Sequence, residues 1–136
     1  MKIVILGCGR VGATLADMMG RAGHTVSVID QSSDAFQRLS PDFQGTTHVG
    51  NGVDEDVLIR AGIREADAFA AITNGDNRNI MASQIAKEMF KVKRVVCRIY
   101  DPIREETYRE LGLETYCPTL VGSQMIFDAL TEKKQK

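Results

Sequence analysis

No apolar run in this chain approaches the roughly 18 consecutive residues a membrane-spanning helix needs, so any membrane connection is expected to come through a partner. An excess of one charge sign is also missing. Lys and Arg number 17 against 18 Asp and Glu, a formal net charge of −1. That balance argues against a nucleic-acid binder, which needs clustered cations to neutralise phosphates. The only locally basic stretch, Lys133-Lys134-Gln135-Lys136, reads as a frayed, solvated end. Cysteine is scarce and odd in number, and Cys8, Cys97 and Cys117 lack ligand spacing. With no signal-peptide pattern at the N-terminus, a reducing cytosol is the expected compartment. No His, Cys and carboxylate cluster has metal-ligand spacing, and no Walker loop is present. What remains is 136 residues, 43% hydrophobic and 26% charged, enough for one globular domain that buries roughly two thirds of its unfolded surface.

Within that domain the first dozen residues are the most informative. Ile3-Val4-Ile5-Leu6 is an apolar strand that runs directly into Gly7-Cys8-Gly9-Arg10-Val11-Gly12, a GxGxxG pattern. Gly7 permits the tight strand-to-helix turn, Gly9 lets backbone approach a phosphate, and Gly12 lets the new helix pack on the strand. The helix N-terminus then offers unpaired N–H groups to an anion. A second strand, Thr25 to Asp30, ends in a carboxylate about 20 residues further on, the spacing of a ribose-binding acid.

The alternation continues along the chain. Val11, Leu15, Met18, Met19 and Ala22 have helical spacing, and Gly23 ends that helix. Ser33 to Leu39 reads as a short helix broken by Pro41, and Thr46 to Val49 as a third strand. Asp54 caps a helix that Gly62 ends, and Ala68 to Thr73 is a buried fourth strand. A helix capped by Asp76 or Asn77 runs to Met89, and Arg94 to Ile99 is a fifth strand. Asp101-Pro102 opens the next helix, Gly112 closes it, and Glu114 to Cys117 is a sixth strand. The pattern predicts an α/β fold: a doubly wound Rossmann-type parallel sheet of about six strands over residues 1–118, then a helix and tail over 119–136. In that last helix Leu120, Val121, Met125, Ile126, Phe127, Ala129 and Leu130 spread around more circumference than one sheet face covers, which implies a second partner.

Ligands of open α/β sheets bind at the carboxyl ends of the strands, so polar residues there carry the chemistry. Arg10 adds a cation at the phosphate turn, unless it is a solvated surface residue. Cys8, beside a helix N-terminus, is either a redox-sensitive thiol or merely a small residue at the x position. Asp30 can take both ribose hydroxyls and repels a 2′-phosphate, favouring NAD or an adenosine nucleotide over NADP; its alternative role is to cap the following helix. Gly50-Asn51-Gly52 either lines the adenine or is only a turn. Thr73 and Asn74 can close over the nucleotide, while Asp76 and Asn79 look like bracing groups. Arg98 has to point into the crevice or find an acid, with Asp101 available. His24 and His48 lie where neither is a convincing catalyst, and no substrate domain follows the dinucleotide fold. The reading from another class is the cofactor domain of an NAD-dependent oxidoreductase.

Taken together, the segments GCGRVG, VID, HVGNGVDEDVLIRAGIREADAFAAIT, NRNIMAS, CRIYDPIREETYRELG and YCP resemble the nucleotide-binding N-lobe of regulator-of-conductance domains, the RCK or KTN (TrkA-N type) family. That family occurs in cytosolic regulatory subunits of Trk and Ktr potassium uptake systems and in some potassium channels and antiporters. The resemblance implies a non-catalytic lobe that binds NAD(H), ATP, ADP or AMP. It also implies dimers formed through a crossover helix after the sixth strand, here Thr119 to Leu130, and rings that gate a membrane pore at the inner face of the cell membrane. Carried over by position, it implies phosphate binding by Gly7 to Val11, ribose binding by Asp30, base contacts around Asn51 and Gly52, closure by Thr73 and Asn74, and a role for Arg98. Asn51 stands where many members carry Asp, a difference that bears on base preference. Residue 136 falls where the family's smaller C-terminal lobe would begin.

Overall fold

An uninterrupted run such as Ile3-Val4-Ile5-Leu6 can be buried only by a strand covered on both faces. These residues form the body of β1 (Lys2–Leu6), and successive side chains point to opposite sides. Val4 and Leu6 pack with Val57, Leu58, Ile63 and Phe69 on one face. Ile3 and Ile5 pack with Ala13, Ala16, Val26 and Val28 on the other. Each such side chain, fully buried, contributes about 1.5–3 kcal/mol. The two layers of the core therefore meet along β1.

The structure, a computed structural model, describes residues 1–131; the basic tail from Lys133 to Lys136 lies outside the described residues. From β1 the chain enters α1 (Arg10–Arg21) and returns through β2 (Thr25–Asp30), a 3-10 segment (Ser33–Arg38) and β3 (Thr46–Val49). There follow α2 (Glu55–Arg60), a second 3-10 turn (Ile63–Glu65), β4 (Ala68–Ala71), α3 (Asp76–Gln84) with a π-helical continuation (Ile85–Met89), and β5 (Arg94–Arg98). Next come α4 (Pro102–Glu110), β6 (Glu114–Tyr116) and α5 (Pro118–Leu130). All pairings are parallel, in the order β3-β2-β1-β4-β5-β6. This is the doubly wound order that the sequence predicts, with its reversal of direction between β1 and β4. Leu6 is in register with Ile29 and with Ala71, so the carboxyl ends of the three central strands lie side by side.

Local chemistry accounts for the departures from expectation. The segment after β2 is 3-10 rather than α-helical. α3 starts from Gly75 with no side-chain cap. Asp76, expected as a cap, instead accepts from Tyr100 N at 2.8 Å and Asp101 N at 3.2 Å, tying α3 to the end of β5. The last turn of that helix is π because Phe90 N reaches back five residues to Ile85 O. β4 ends at Ala71 rather than Thr73, since Thr73 N leaves the sheet for Asn79 Oδ1. Asp54 and Asp101 cap α2 and α4 as expected, and Pro102 occupies the first turn of α4.

None of α5 is buried, and Leu120, Val121, Met125, Ile126, Phe127 and Leu130 are all exposed. Its first turn is anchored by Thr119 Oγ1, which donates to Tyr100 O at 2.8 Å. Among the described residues no helix is long and apolar enough to cross a membrane.

Candidate functional site

Where β1, β2 and β4 end together, their loops enclose a cleft of about 730 Å³, within the range of small-molecule sites. Its floor is the β1–α1 turn. Gly7 holds φ +109° and passes so close to β4 that a Cβ there would stand 2.8 Å from Ile72 O. Gly12 lies against that turn, and a Cβ on it would be 1.8 Å from Gly7 O. Both glycines are therefore fixed by the protein's own backbone. Gly9 differs, because a Cβ there would meet nothing within 4 Å. The space over Gly9 faces the cleft, and the first intrahelical bond of α1 runs from Ala13 N to Gly9 O. The N–H groups of Arg10, Val11 and Gly12 precede it, in the first turn that a helix leaves without intrahelical acceptors.

Asp30, at the end of β2, forms one side wall. Its Oδ2 accepts from Cys8 N at 2.8 Å and its Oδ1 from Ser32 N at 2.9 Å. Asp30 thus braces the β1–α1 turn and closes an Asx-type turn onto Ser32, but it does not cap the 3-10 segment, whose N-cap is Ser32 with no side-chain bond; a carboxylate has further lone pairs to offer. Cys8 itself is fully buried. Burial first, and the Asp30 carboxylate second, push its thiol up to about 11 against the opposing pull of Arg38. The Cys8 thiol is thus kept protonated at neutral pH, and the position works as a small residue rather than a reactive one.

The opposite wall is the β4–α3 loop, held by a buried amide. Asn79 Oδ1 accepts from Thr73 N, and Asn79 Nδ2 donates to Thr73 O and to Arg98 O. Arg98 is buried and lines the cleft, the first of its two expected outcomes, and among the described residues it pairs with no acid, Asp101 included. Its Nη2 donates to Ile72 O at 2.8 Å and Thr73 O at 2.9 Å, with the guanidinium carbon 4.8 Å from the Tyr100 ring centroid. Arg98 Nε is left without a partner among the described residues.

Of the residues singled out from sequence, Gly7, Cys8, Gly9, Asp30, Gly52, Thr73, Asn74 and Arg98 line this cleft together. Arg10, Val11, Gly12 and Asn51 do not. Arg10 and Val11 are exposed on the first turn of α1 and Gly12 packs beneath it. The Asn51 side chain turns back on its own loop, Oδ1 accepting from Val53 N at 3.1 Å. Gly52 comes so close to β1 that a Cβ would stand 2.3 Å from Leu6 Cδ1.

Two cations that sequence reasoning passed over line the cleft instead. Arg38 ends the 3-10 segment and donates to Cys8 O at 3.4 Å; Arg78 lies in the first turn of α3. The available signal was position alone: each follows closely on the carboxyl end of a central strand. His24 and His48 are elsewhere, and burial, then Arg60, lower the pKa of His48. Among the described residues no group of His, Cys, Asp and Glu is arranged to hold a metal ion.

Comparison with known proteins agrees with this architecture. The chain is 53% identical over 115 residues to the Trk system potassium uptake protein TrkA of Streptomyces coelicolor, a match spanning 85% of this chain and 52% of that protein. The chain spans about half the length of the first curated relatives it matches. Among solved structures, the GsuK channel bound to NAD superposes with TM-score 0.81 at 23% identity, over 97% of this chain and 23% of that one. The Shewanella denitrificans Kef CTD in its AMP-bound form gives TM-score 0.80 at 19% identity, over 100% of this chain and 84% of that one. At such identities these two likenesses show the fold. The TrkA-N domain model matches residues 3–117, nearly the whole described chain, and with the Streptomyces relative it establishes that this protein belongs to the TrkA-N domain family.

Proposed function

We propose that this chain binds NAD(H) or an adenine nucleotide in the cleft and, as the sensing unit of a larger assembly, regulates a membrane potassium transporter or channel. The observation that carries the binding reading is the open space over Gly9, bordered by the first-turn N–H groups of α1 and by the Asp30 carboxylate. A diphosphate fits there because backbone N–H groups and the helix dipole favour an anion. In this reading Asp30 accepts from ribose hydroxyls, and Thr73 and Asn74 cover the ligand from the opposite wall, all three being residues that line the cleft. The names of the relatives support the regulatory part: a Trk potassium uptake protein and a channel solved with NAD.

A sensing rather than a catalytic role suits the groups in the cleft. The Cys8 thiol stays protonated, and neither His24 nor His48 lines the space. The exposed apolar face of α5 supports assembly into dimers or larger rings seated on the cytosolic side of the membrane partner.

The test is native mass spectrometry of the purified protein, combined with potassium uptake by cells whose only copy carries Asp30→Ala. A retained mass of an adenine nucleotide, and uptake that no longer follows nucleotide level in the variant, are expected. Turnover of bound nicotinamide with any candidate substrate contradicts the sensing role.

A further inference from the structure

Resting on the nucleotide reading, we infer that Arg78 reads the charge of the ligand beyond its first phosphate, favouring a terminal phosphate and disfavouring the cationic nicotinamide end of NAD⁺. The sheet order sets the direction. β1 lies between β2 and β4, so a ligand with its ribose at Asp30 and its diphosphate over Gly9 continues across the reversal point towards the start of α3. Arg78 stands in that first turn and lines the cleft. Its guanidinium carbon lies 4.0 Å from where a Cβ on Gly75 would be, folded back over the β4–α3 loop.

Among the described residues no neighbouring carboxylate is paired with Arg78, and the cleft lining carries three arginines, Arg38, Arg78 and Arg98, against two acids, Asp30 and Asp34. Arg98 is committed to the carbonyls of Ile72 and Thr73, and Arg38 points to Cys8 O. Asp76, in the same turn of α3, has its two carboxylate oxygens on Tyr100 N and Asp101 N. Asp30, across the cleft, accepts from Cys8 N and Ser32 N, and Asp34, in the 3-10 segment, lines the cleft on that same side. Among the described residues Arg78 itself has no ion pair. A half-buried, unpaired guanidinium at a helix N-terminus, in a cleft with one more arginine than acids, favours negative charge beyond the first phosphate. A phosphoryl group there gains charge-assisted, bidentate hydrogen bonds. The pyridinium of NAD⁺ meets like charge, and the neutral dihydropyridine of NADH does not.

The experiment is calorimetric titration of wild type, Arg78→Gln and Arg78→Lys with ATP, AMP, NAD⁺ and NADH, with melting temperature as the check on folding. In Arg78→Gln the ATP-to-AMP affinity ratio is expected to fall about tenfold, and the NADH-to-NAD⁺ ratio to move towards unity. Arg78→Lys keeps the charge without the fork and retains part of the ATP preference. A folded Arg78→Gln protein with both ratios unchanged overturns this inference and leaves the cleft assignment standing. Wild type that binds none of the four ligands overturns both.

Discussion

Asn79 and Thr73 grip each other across the β4–α3 loop: Thr73 N and Thr73 Oγ1 donate to Asn79 Oδ1 at 2.9 and 2.6 Å, and Asn79 Nδ2 donates back to Thr73 O at 2.9 Å. The same Nδ2 reaches Arg98 O at 3.0 Å, so one fully buried amide fixes the wall of the cleft and the end of β5 together. Asn79→Ala removes the side-chain partner of Thr73 N and of Arg98 O, while Thr73 O keeps Arg98 Nη2, and is expected to cost about 2–4 kcal/mol of stability in urea denaturation. A loss within about 0.5 kcal/mol, the range of ordinary surface changes, shows that water or a shifted loop replaces the amide.

The glycines of the turn separate folding from binding. Gly7→Ala forces a side chain to φ +109° against Ile72 O, and Gly12→Ala drives a Cβ into Gly7 O, so both are expected to lower the melting temperature markedly. Gly9→Val meets open space and is expected to melt within a few degrees of wild type. Equal destabilisation by all three means that Gly9 also is held by packing.

Cys8 gives stability a defined pH dependence. Its folded value of about 11 exceeds the roughly 8.5 of an unfolded thiol. The unfolded chain therefore loses its proton first, and the contribution that is full below about pH 8.5 declines as pH rises towards the folded value. Burial shifts Cys97 in the same direction, so the comparison is with Cys8→Ala. Urea midpoints measured between about pH 8 and 10.5 are expected to fall more steeply in wild type than in that variant. In the native protein Cys8 is also expected to resist Ellman's reagent at neutral pH. Rapid labelling there contradicts its burial.

The apolar face of α5 leads to a prediction about assembly. Burying Leu120, Met125, Ile126, Phe127 and Leu130 needs a partner surface, and two-fold pairing is the commonest way to supply one. Light scattering at micromolar concentration is expected to report at least a dimer. Met125→Asp with Phe127→Asp is expected to give a monomer that keeps its nucleotide affinity. A wild-type protein that stays monomeric at high concentration removes this lever from the regulatory account.

The sheet was legible because its signals are local and repeated: apolar runs such as Ile3 to Leu6, caps such as Asp54 and Asp101, and a helix between each pair of strands. The site was legible where backbone geometry demands a residue type, as at Gly7 and Gly12. It was less so where side chains choose among partners across the fold. Arg98 settles on the carbonyls of Ile72 and Thr73, which no spacing in the sequence indicates. Arg38 and Arg78 look like solvated arginines until the sheet brings their segments to one cleft. At Asn51 the side-chain oxygen takes a local partner, Val53 N, two residues on.

The central claim is that the cleft at the ends of β1, β2 and β4 holds an adenine nucleotide over Gly9. It is tested most directly by calorimetric titration of ADP into wild type, Gly9→Val and Asp30→Ala. Saturable binding in wild type is predicted, with no detectable heat in a folded Gly9→Val protein. Asp30→Ala is predicted to lose on the order of 1.5–3 kcal/mol, the size of hydrogen bonds to a charged acceptor. Wild-type affinity in both variants, or no binding by wild type, contradicts it.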